Sequence, residues 1–254
     1  MTAIGWAARS GCRIERHRSV ASTNTLALDY ARAGELGPLW ITAGEQTAGR
    51  GRHGRTWHSP AGNLHATRLI VAAPPAERLT GLAFVAAVAV HQAVAGLLPE
   101  PARSRLRLKW PNDVMVDGAK LSGILVEVER VGAGFAAAVG IGVNVAGQPD
   151  RTGRASLAGL GAVRRPAEVF DRVGARFEER LAEWDDGRGF AAIRASWLAR
   201  SMPAGTPTTV AVGADRVSGS FRGLADDGAL LVELAGGRIR RIAAGEVVTP
   251  PGAE

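Results

Sequence analysis

A short loop rich in glycine and arginine carries the clearest chemical signal in the chain. Residues 49–57 read GRGRHGRTW, with three glycines, three arginines and the closing Trp57. Glycine lets a ligand approach the backbone N–H groups, and each guanidinium donates paired hydrogen bonds to phosphate or carboxylate oxygens. The loop is therefore a candidate anion site. On these residues alone, a solvated surface loop and an RGG-like nucleic-acid-binding segment remain alternatives.

The chain has only two lysines among its 31 basic residues, and both lie in the segment KWPNDVMVDGAK. Where arginine serves as the general cation, a retained lysine indicates a position that needs a compact ammonium. Lys120 follows the turn-forming pair Asp117-Gly118 and precedes Gly123, where a ligand can approach the backbone. This position suits an ammonium that neutralises an α-phosphate. An exposed lysine at the end of a strand is the alternative.

Two further motifs could contribute to a ligand site. Asn112 and Asp113 stand beside a proline and could hold Mg²⁺ and triphosphate oxygens, or simply cap the backbone of a turn. The segment GIGVNV places Gly140 and Gly142 in an apolar strand, which leaves a slot for a flat or apolar ligand. A dinucleotide fingerprint is excluded there, because its third glycine is missing and a strand continues.

Composition limits the class of protein. The net charge of +7 suggests nucleic acid, but the arginines are spread along the chain, so basicity alone is weak evidence for such a partner. The single Cys12 excludes an internal disulfide framework. The N-terminus lacks the features of a secretory signal, and the most apolar stretch, residues 82–98, contains His91 and Gln92. We expect a cytoplasmic protein without a membrane span.

Hydrophobic periodicity predicts an α+β fold with two parts. Strands are expected over 12–20, 39–46, 64–73, 105–111, 113–116, 120–131 and 135–145, where 105–111 and 113–116 form one strand interrupted at Pro111. Helices are expected over 25–34, capped by Ser22 and terminated by Gly34, and over 77–98, 166–185 and 188–200. These elements predict a mixed β-sheet domain flanked by helices, in residues 1–203. The short strands and turns that begin at Gly205 predict a small SH3-like β-barrel, in residues 204–254.

In their order and spacing these motifs resemble the biotin protein ligase family. The resemblance is carried by Ser22-Thr23-Asn24, Gln46, GRGRHGR, KWPNDV, KLSGILVE, GIGVNV and the C-terminal segment SFRGLADDGALLVELAGGRIRRIAAGEV. It spans roughly residues 13–249, and the loop GRGRxGR followed by KWPND is a specific pair. It implies a class II synthetase-like biotin/lipoate ligase fold with a small C-terminal domain.

The resemblance also assigns residues. Biotin would be bound by Ser22, Thr23, Asn24, Gln46, Gly49, Arg50, Gly51, Arg52, Lys120, Gly123, Gly140 and Gly142. ATP would be bound by Arg50, Arg52, Arg55, Trp57, Lys109, Asn112, Asp113, Lys120 and Asn144. The catalytic residues would be Lys120, which bridges the biotin carboxylate and the α-phosphate, and Arg52, which retains the adenylate. Asp113 would contribute to Mg²⁺ binding.

The implied activity is an ATP-dependent, AMP-forming ligation. Biotin and ATP would give biotinyl-5′-AMP and pyrophosphate, and biotin would then pass to a lysine of the biotin carboxyl carrier protein domain of acyl-CoA carboxylases. The Ser-Thr-Asn motif begins at residue 22, which leaves no room for the winged-helix domain of family members that repress transcription. We therefore expect a ligase that does not bind DNA.

Two departures from the family pattern and three competing functions accompany this interpretation. Residues 64–67 lack the aromatic often present there in the family, and residues 154–160 contain no tryptophan to stack on adenine. A lipoate or octanoate ligase or transferase would use a similar fold and chemistry. A basic nucleic-acid-binding protein would bind oligonucleotides without needing ATP, and an inactive module would bind biotin without turnover.

Overall fold

A mixed seven-stranded sheet forms the larger part of the fold. The computed structural model describes residues 11–71, 79–147 and 153–248. The strands run in the order β1-β2-β3-β7-β6-β5-β4, and only β1 and β2 are parallel. They are β1 (Arg13–Val20), β2 (Leu39–Gln46), β3 (Leu64–Val71), β4 (Leu106–Lys109), β5 (Asp113–Val116), β6 (Ala119–Val131) and β7 (Gly134–Val143). The α+β class predicted from the sequence is confirmed.

Helices cover both faces of this sheet. One face carries α1 (Thr23–Arg32), which packs on β3 and β7. Its N-terminus is capped by Ser22, whose Oγ accepts from the Thr25 N–H at 3.4 Å, and Gly34 follows its end with φ of +93°. Both ends were predicted from the sequence. The other face carries α2 (Leu82–Ala95) and α4 (Pro166–Trp184). The short α3 (Glu100–Arg103) lies between α2 and β4 in the sequence, and α5 (Phe190–Leu198) packs on α2 and α4.

Helix α2 is the buried Ala/Val-rich helix that the sequence predicts. Ten of its residues, from Leu82 to Val94, are buried, and it packs against both α4 and the sheet. Its predicted range of 77–98 began partly outside the described residues; the structure gives a shorter helix of 14 residues. No helix in the described ranges is both long and apolar enough to cross a membrane.

The C-terminal strands form a separate antiparallel sheet in the order β11-β10-β9-β8-β12. Its strands are β8 (Pro207–Val212), β9 (Asp215–Leu224), β10 (Leu230–Glu233), β11 (Ile239–Ile242) and β12 (Glu246–Val248). The two sheets share one hydrophobic core, and the Trp110 indole Nε1 donates to the Gly228 carbonyl at 3.1 Å across their junction. A functional division at residues 203/204 stays a prediction.

The segment that contains both lysines, residues 109–120, includes two tight turns. Pro111 was expected to interrupt a strand; instead the chain reverses around it, so that β4 and β5 pair antiparallel and Lys109 stands opposite Asp113. Proline suits this reversal because it cannot donate to a continuing strand ladder. The predicted hairpin at Asp117-Gly118 is present, with φ of 50° and 76° at its two residues.

Partly buried His91 makes the stability of this fold sensitive to pH. Burial within α2, with a smaller contribution from Arg200, lowers the pKa of His91 from 6.5 to about 4. Between these values the unfolded chain holds a proton that the folded chain excludes, so stability falls as the pH drops from 6.5 towards 4. We expect the free energy of unfolding, measured with urea, to fall by about 2 kcal/mol less in His91→Gln than in the native protein between pH 6.5 and 4.5. Equal losses would contradict this assignment.

Candidate functional site

A cavity of about 510 Å³ opens where α1, the strands β3, β6 and β7 and the Gly/Arg loop meet. Nearly all the residues singled out from the sequence line it: Ser22, Thr23, Asn24, Gln46, Arg50, Gly51, Arg52, Arg55, Trp57, Lys109, Asn112, Asp113, Lys120, Gly123, Gly140 and Gly142. Two predicted residues, Gly49 and Asn144, do not line it. The fold therefore brings together motifs that lie far apart in the sequence.

Gly49 and Asn144 do not line the cavity, but they form hydrogen bonds with residues that do. Gly49 forms the neck of the loop, where its carbonyl accepts from the Trp57 N–H at 2.9 Å and a Cβ would overlap the Trp57 carbonyl. The buried Asn144 amide donates to the carbonyls of Lys120 and Ala155, both at 3.0 Å. Asn144 thus joins the start of β6, which carries Lys120, to the segment after residue 153. Its assigned contact with adenine stays a prediction.

Hydroxyl and amide groups of Thr23, Asn24 and Gln46 line one part of the cavity, with Thr67 behind them. Gln46 Oε1 accepts from the Thr23 backbone N–H at 2.9 Å and lies 3.1 Å from the Thr23 hydroxyl oxygen, and Gln46 Nε2 donates to Ser59 Oγ at 2.8 Å. The buried Thr67 hydroxyl lies 2.8 Å from Thr23 Oγ1 and 2.7 Å from Asn24 Oδ1. We call Thr23, Asn24, Gln46 and Thr67 the polar floor. It offers hydrogen-bond donors and acceptors to a ligand that is otherwise enclosed.

The strand glycines accommodate protein side chains. A Cβ at Gly140 would overlap Asn24 Oδ1 and lie 3.0 Å from Asn24 Cγ, so this glycine provides the space for the Asn24 amide. A Cβ at Gly142 would lie 2.6 Å from Trp57 Cε2, and one at Gly123 would lie 3.0 Å from the Trp57 ring. The slot expected from the sequence is present, but in this structure Asn24 and Trp57 lie in it. Whether biotin contacts these glycines stays a prediction.

Two lysines in the cavity lining converge on one buried carboxylate. Lys120 Nζ lies 2.6 Å from Asp113 Oδ1, and Lys109 Nζ lies 3.7 Å from Asp113 Oδ2. The Lys120 ammonium also lies 5.3 Å from the centre of the Trp57 ring. Asp113 is 5% exposed, and its position between two ammonium groups fixes both of them without cancelling their combined charge. The site therefore keeps a cation available for an anionic ligand.

The Gly/Arg loop folds back over the cavity and contacts the C-terminal sheet. Arg55 Nη1 donates to Glu246 Oε1 at 3.0 Å, and Arg52 Nη2 donates to the Gly245 carbonyl at 3.1 Å. The hydrogen bond from Arg55 lowers the pKa of Glu246, and burial lowers the pKa of Arg52. Sequence spacing gave no indication of Glu246, because it lies 191 residues from its partner.

Positive charge dominates the lining of the cavity. Six cationic side chains face two carboxylates: Arg50, Arg52, Arg55, Lys109, Lys120 and Arg154 against Asp113 and Glu246. Arg154, which the sequence did not single out, lies 5.7 Å from the Trp57 ring. Within the described residues no group of three histidine, cysteine or acidic side chains could hold a metal ion. The arrangement suits a polyanion placed next to a polar, uncharged ring.

Each of the two sheets lies largely within a segment that matches a known protein family. Residues 17–144 match the biotin/lipoate A/B protein ligase family, and residues 205–249 match the biotin protein ligase C-terminal domain. The polar floor, the Gly/Arg loop and both lysines lie in the first of these segments.

Individual proteins agree with these matches. The chain is 43% identical to the biotin--[acetyl-CoA-carboxylase] ligase of Paracoccus denitrificans, covering 85% of this chain and 92% of that protein. It is 33% identical to the ligase of the same name from Mycobacterium tuberculosis, over 89% and 85%. The structure of the Aquifex aeolicus biotin protein ligase in complex with biotin and ATP superposes with a TM-score of 0.76 at 27% identity, covering 93% and 97%. This chain therefore belongs to the biotin protein ligases of the biotin/lipoate A/B protein ligase family.

Proposed function

We propose that this chain joins biotin to a carrier protein in two steps. Biotin and MgATP give biotinyl-5′-AMP and pyrophosphate, and the biotinyl group then passes to a lysine of a biotin carboxyl carrier protein domain. The observation that supports this most strongly is that one cavity is lined both by uncharged polar side chains, Thr23, Asn24 and Gln46, and by six cationic side chains. Such a cavity can hold the ring of biotin against the polar groups and the reacting anions against the cations.

The floor favours biotin over the acids used by related ligases. The ureido ring of biotin has one carbonyl and two N–H groups, which can pair with the hydroxyl and amide groups of Thr23, Asn24 and Gln46. The dithiolane of lipoate and the alkyl chain of octanoate have no such groups. They would leave a buried floor unpaired, and a site of this kind rejects such analogues strongly.

The cations lower the repulsion between the two reacting anions. An oxygen of the biotin carboxylate attacks the α-phosphorus of ATP, the bond to the bridging oxygen breaks, and pyrophosphate leaves with the electron pair. Lys120, held beside Asp113, can contact both the carboxylate and the α-phosphate, while the loop arginines stabilise the charge of the phosphates. The closed loop would also keep water from the reactive anhydride.

Magnesium enters the proposed reaction as part of the substrate MgATP. Asp113 is the candidate protein ligand, but two lysines already surround its carboxylate. A single carboxylate suits Mg²⁺ that is bound mainly through phosphate oxygens and water. The ion then supplies charge neutralisation on the phosphates.

In the second step a neutral lysine amine of the carrier attacks the acyl carbon, and AMP leaves. The carrier domain of an acyl-CoA carboxylase is the proposed partner, and the need for ATP favours a cytoplasmic location. Nucleic acid is not the proposed partner, because Arg50, Arg52 and Arg55 are already paired within the protein, with Glu127, the Gly245 carbonyl and Glu246. An RGG-like segment would instead leave its guanidinium groups unpaired and available to external phosphates.

ATP–pyrophosphate exchange tests the first step. The assay is run with MgATP and, in parallel, biotin, lipoate, octanoate or no acid. We expect exchange with biotin alone, followed by labelling of a purified carrier domain at one lysine. Exchange with lipoate or octanoate but not with biotin would overturn the substrate assignment. Biotin binding without any exchange would identify a binding module instead.

Arg52→Gly is expected to release the adenylate prematurely. The substitution removes a guanidinium from the cavity lining, together with its hydrogen bond to the Gly245 carbonyl. Loss of a charge-assisted hydrogen bond of about 1.5–3 kcal/mol corresponds to roughly tenfold to hundredfold faster dissociation of biotinyl-AMP. The measurement is biotin labelling of a bystander protein that has no carrier motif, with the exposed Arg16→Gly as control. Bystander labelling at the native level would contradict a retaining role for Arg52.

A further inference from the structure

The carboxylate of Glu127 lies directly behind the polar floor. Glu127 is on β6, and its Oε2 accepts from Asn24 Nδ2 at 2.8 Å. Its Oε1 lies 3.0 Å from the Arg50 guanidinium, so one side chain contacts both the floor and the Gly/Arg loop. The sequence motifs assigned no role to this residue.

The surroundings of Asn24 allow only one orientation of its amide. On the nitrogen side, Nδ2 faces the Glu127 carboxylate and the Leu125 carbonyl at 3.2 Å, and both groups only accept hydrogen bonds. On the oxygen side, Oδ1 faces the Thr67 hydroxyl at 2.7 Å. A flipped amide would place its oxygen against two acceptors. Glu127 and the Leu125 carbonyl therefore keep the Asn24 oxygen directed at Thr67.

This orientation determines what the floor offers to a ligand. The Thr67 hydroxyl has one proton, and the fixed oxygen of Asn24 is its better acceptor. Because the Thr67 proton is then used on Asn24, the single proton of the Thr23 hydroxyl can point to Thr67 Oγ1 at 2.8 Å rather than to Gln46 Oε1 at 3.1 Å. A lone pair of Thr23 Oγ1 stays available. Gln46 Oε1 is held by the Thr23 backbone N–H and has a second lone pair. The floor consequently presents acceptors, which match N–H groups on a ring.

We propose that Glu127 is a positioning residue that sets this acceptor pattern and thereby selects a ureido ring. The proposal rests on the proposed function, because it assumes that the ring of biotin binds at the floor. Glu127 acts through Asn24 and does not touch the reacting atoms. Its removal should therefore affect the use of biotin far more than the use of ATP or the rate of the chemical step.

The test compares Glu127→Met with Glu127→Gln and Glu129→Met in ATP–pyrophosphate exchange. Methionine keeps the length of the side chain but cannot accept from Asn24, whereas glutamine keeps one acceptor oxygen. Glu129 lies two residues along the same strand and pairs with Arg32 at the surface, so it serves as the matched control. We expect Glu127→Met to raise the KM for biotin at least about tenfold. Its KM for ATP and its kcat should stay within about threefold.

Glu127→Gln and Glu129→Met serve as controls in this test. Glu127→Gln should return the KM for biotin to within about threefold of the native value, and Glu129→Met should leave it unchanged. A KM for biotin within about twofold of the native value in Glu127→Met would overturn the proposal, as would an equal rise in the KM for ATP. Glutamine behaving like methionine would also overturn it.

Two controls separate folding and function from this proposal. Circular dichroism reports whether Glu127→Met is folded; if it is not, Glu127→Ala is measured with the same expectations and the same overturning results. Absence of biotin-dependent exchange in the native protein would overturn the proposed function, and this proposal with it. Native exchange together with an unaffected Glu127 variant would overturn this proposal alone.

Discussion

Replacing Lys120 with methionine is expected to reduce biotin-dependent ATP–pyrophosphate exchange by about a hundredfold to a thousandfold. The Lys120 ammonium lines the cavity and is held 2.6 Å from Asp113, where it can offset the negative charge of both reacting groups. Methionine fills similar space without charge. Because the contribution of Lys120 grows as charge develops at the α-phosphate, the loss should appear mainly in kcat.

Lys109→Met is the matched control for this change. Lys109 lines the same cavity but lies farther from the shared carboxylate, at 3.7 Å. The Lys109→Met substitution should raise the KM for ATP, with a smaller effect on kcat than Lys120→Met. Both variants should keep native circular dichroism, since one lysine still neutralises Asp113 in each. Exchange close to the native rate in Lys120→Met would remove this residue from the mechanism.

Gly140→Ala is expected to weaken biotin binding by about a hundredfold or more. A single methyl group at this position would overlap the Asn24 amide, which is buried and hydrogen bonded to Thr67 and Glu127. The central strand β7 pairs on both sides and cannot easily move away. Displacing Asn24 leaves buried polar groups unpaired, at a cost of about 1–3 kcal/mol each. Isothermal titration calorimetry with biotin measures the change in Kd.

Gly96→Ala provides the control for this glycine substitution. Gly96 has φ of −72°, and a Cβ there would meet its nearest atom at 3.6 Å, which is an ordinary contact. It should bind biotin like the native protein. If Gly140→Ala is folded and its Kd for biotin is unchanged, the floor is not where the ring of biotin binds.

Local sequence signals were sufficient to predict most of the fold. The capping Ser22, the Asp117-Gly118 turn and the Ala/Val-rich α2 act through neighbouring residues, and the structure contains all three. The reversal at Pro111 was mistaken for an interruption of one strand. A proline excludes a continuing ladder, but it does not determine whether the next strand continues or turns back.

The site residues that belong to sequence motifs were predicted correctly. Those that tertiary contacts bring to the site from distant parts of the chain were not. The loop arginines, the two lysines and Thr23, Asn24 and Gln46 all line the cavity as expected, whereas Gly49 and Asn144 do not. Thr67, Glu127 and Glu246 were missed, because their roles come from strand pairing and from contact between the two sheets. A threonine buried in an otherwise apolar strand was the available signal for Thr67. A missing side chain at Gly140 did not reveal that Asn24 would fill the space.

The Arg55–Glu246 contact connects the cavity lining to the edge of the C-terminal sheet. Glu246 begins β12, which lies at that edge. On the proposed assignment of Arg55 to the nucleotide phosphates, the nucleotide and the Glu246 carboxylate would compete for the same guanidinium. By reciprocity, a substitution that strengthens the Arg55–Glu246 contact would weaken nucleotide binding by the same factor. We therefore expect substitutions in the small sheet that alter this contact to change the affinity for ATP.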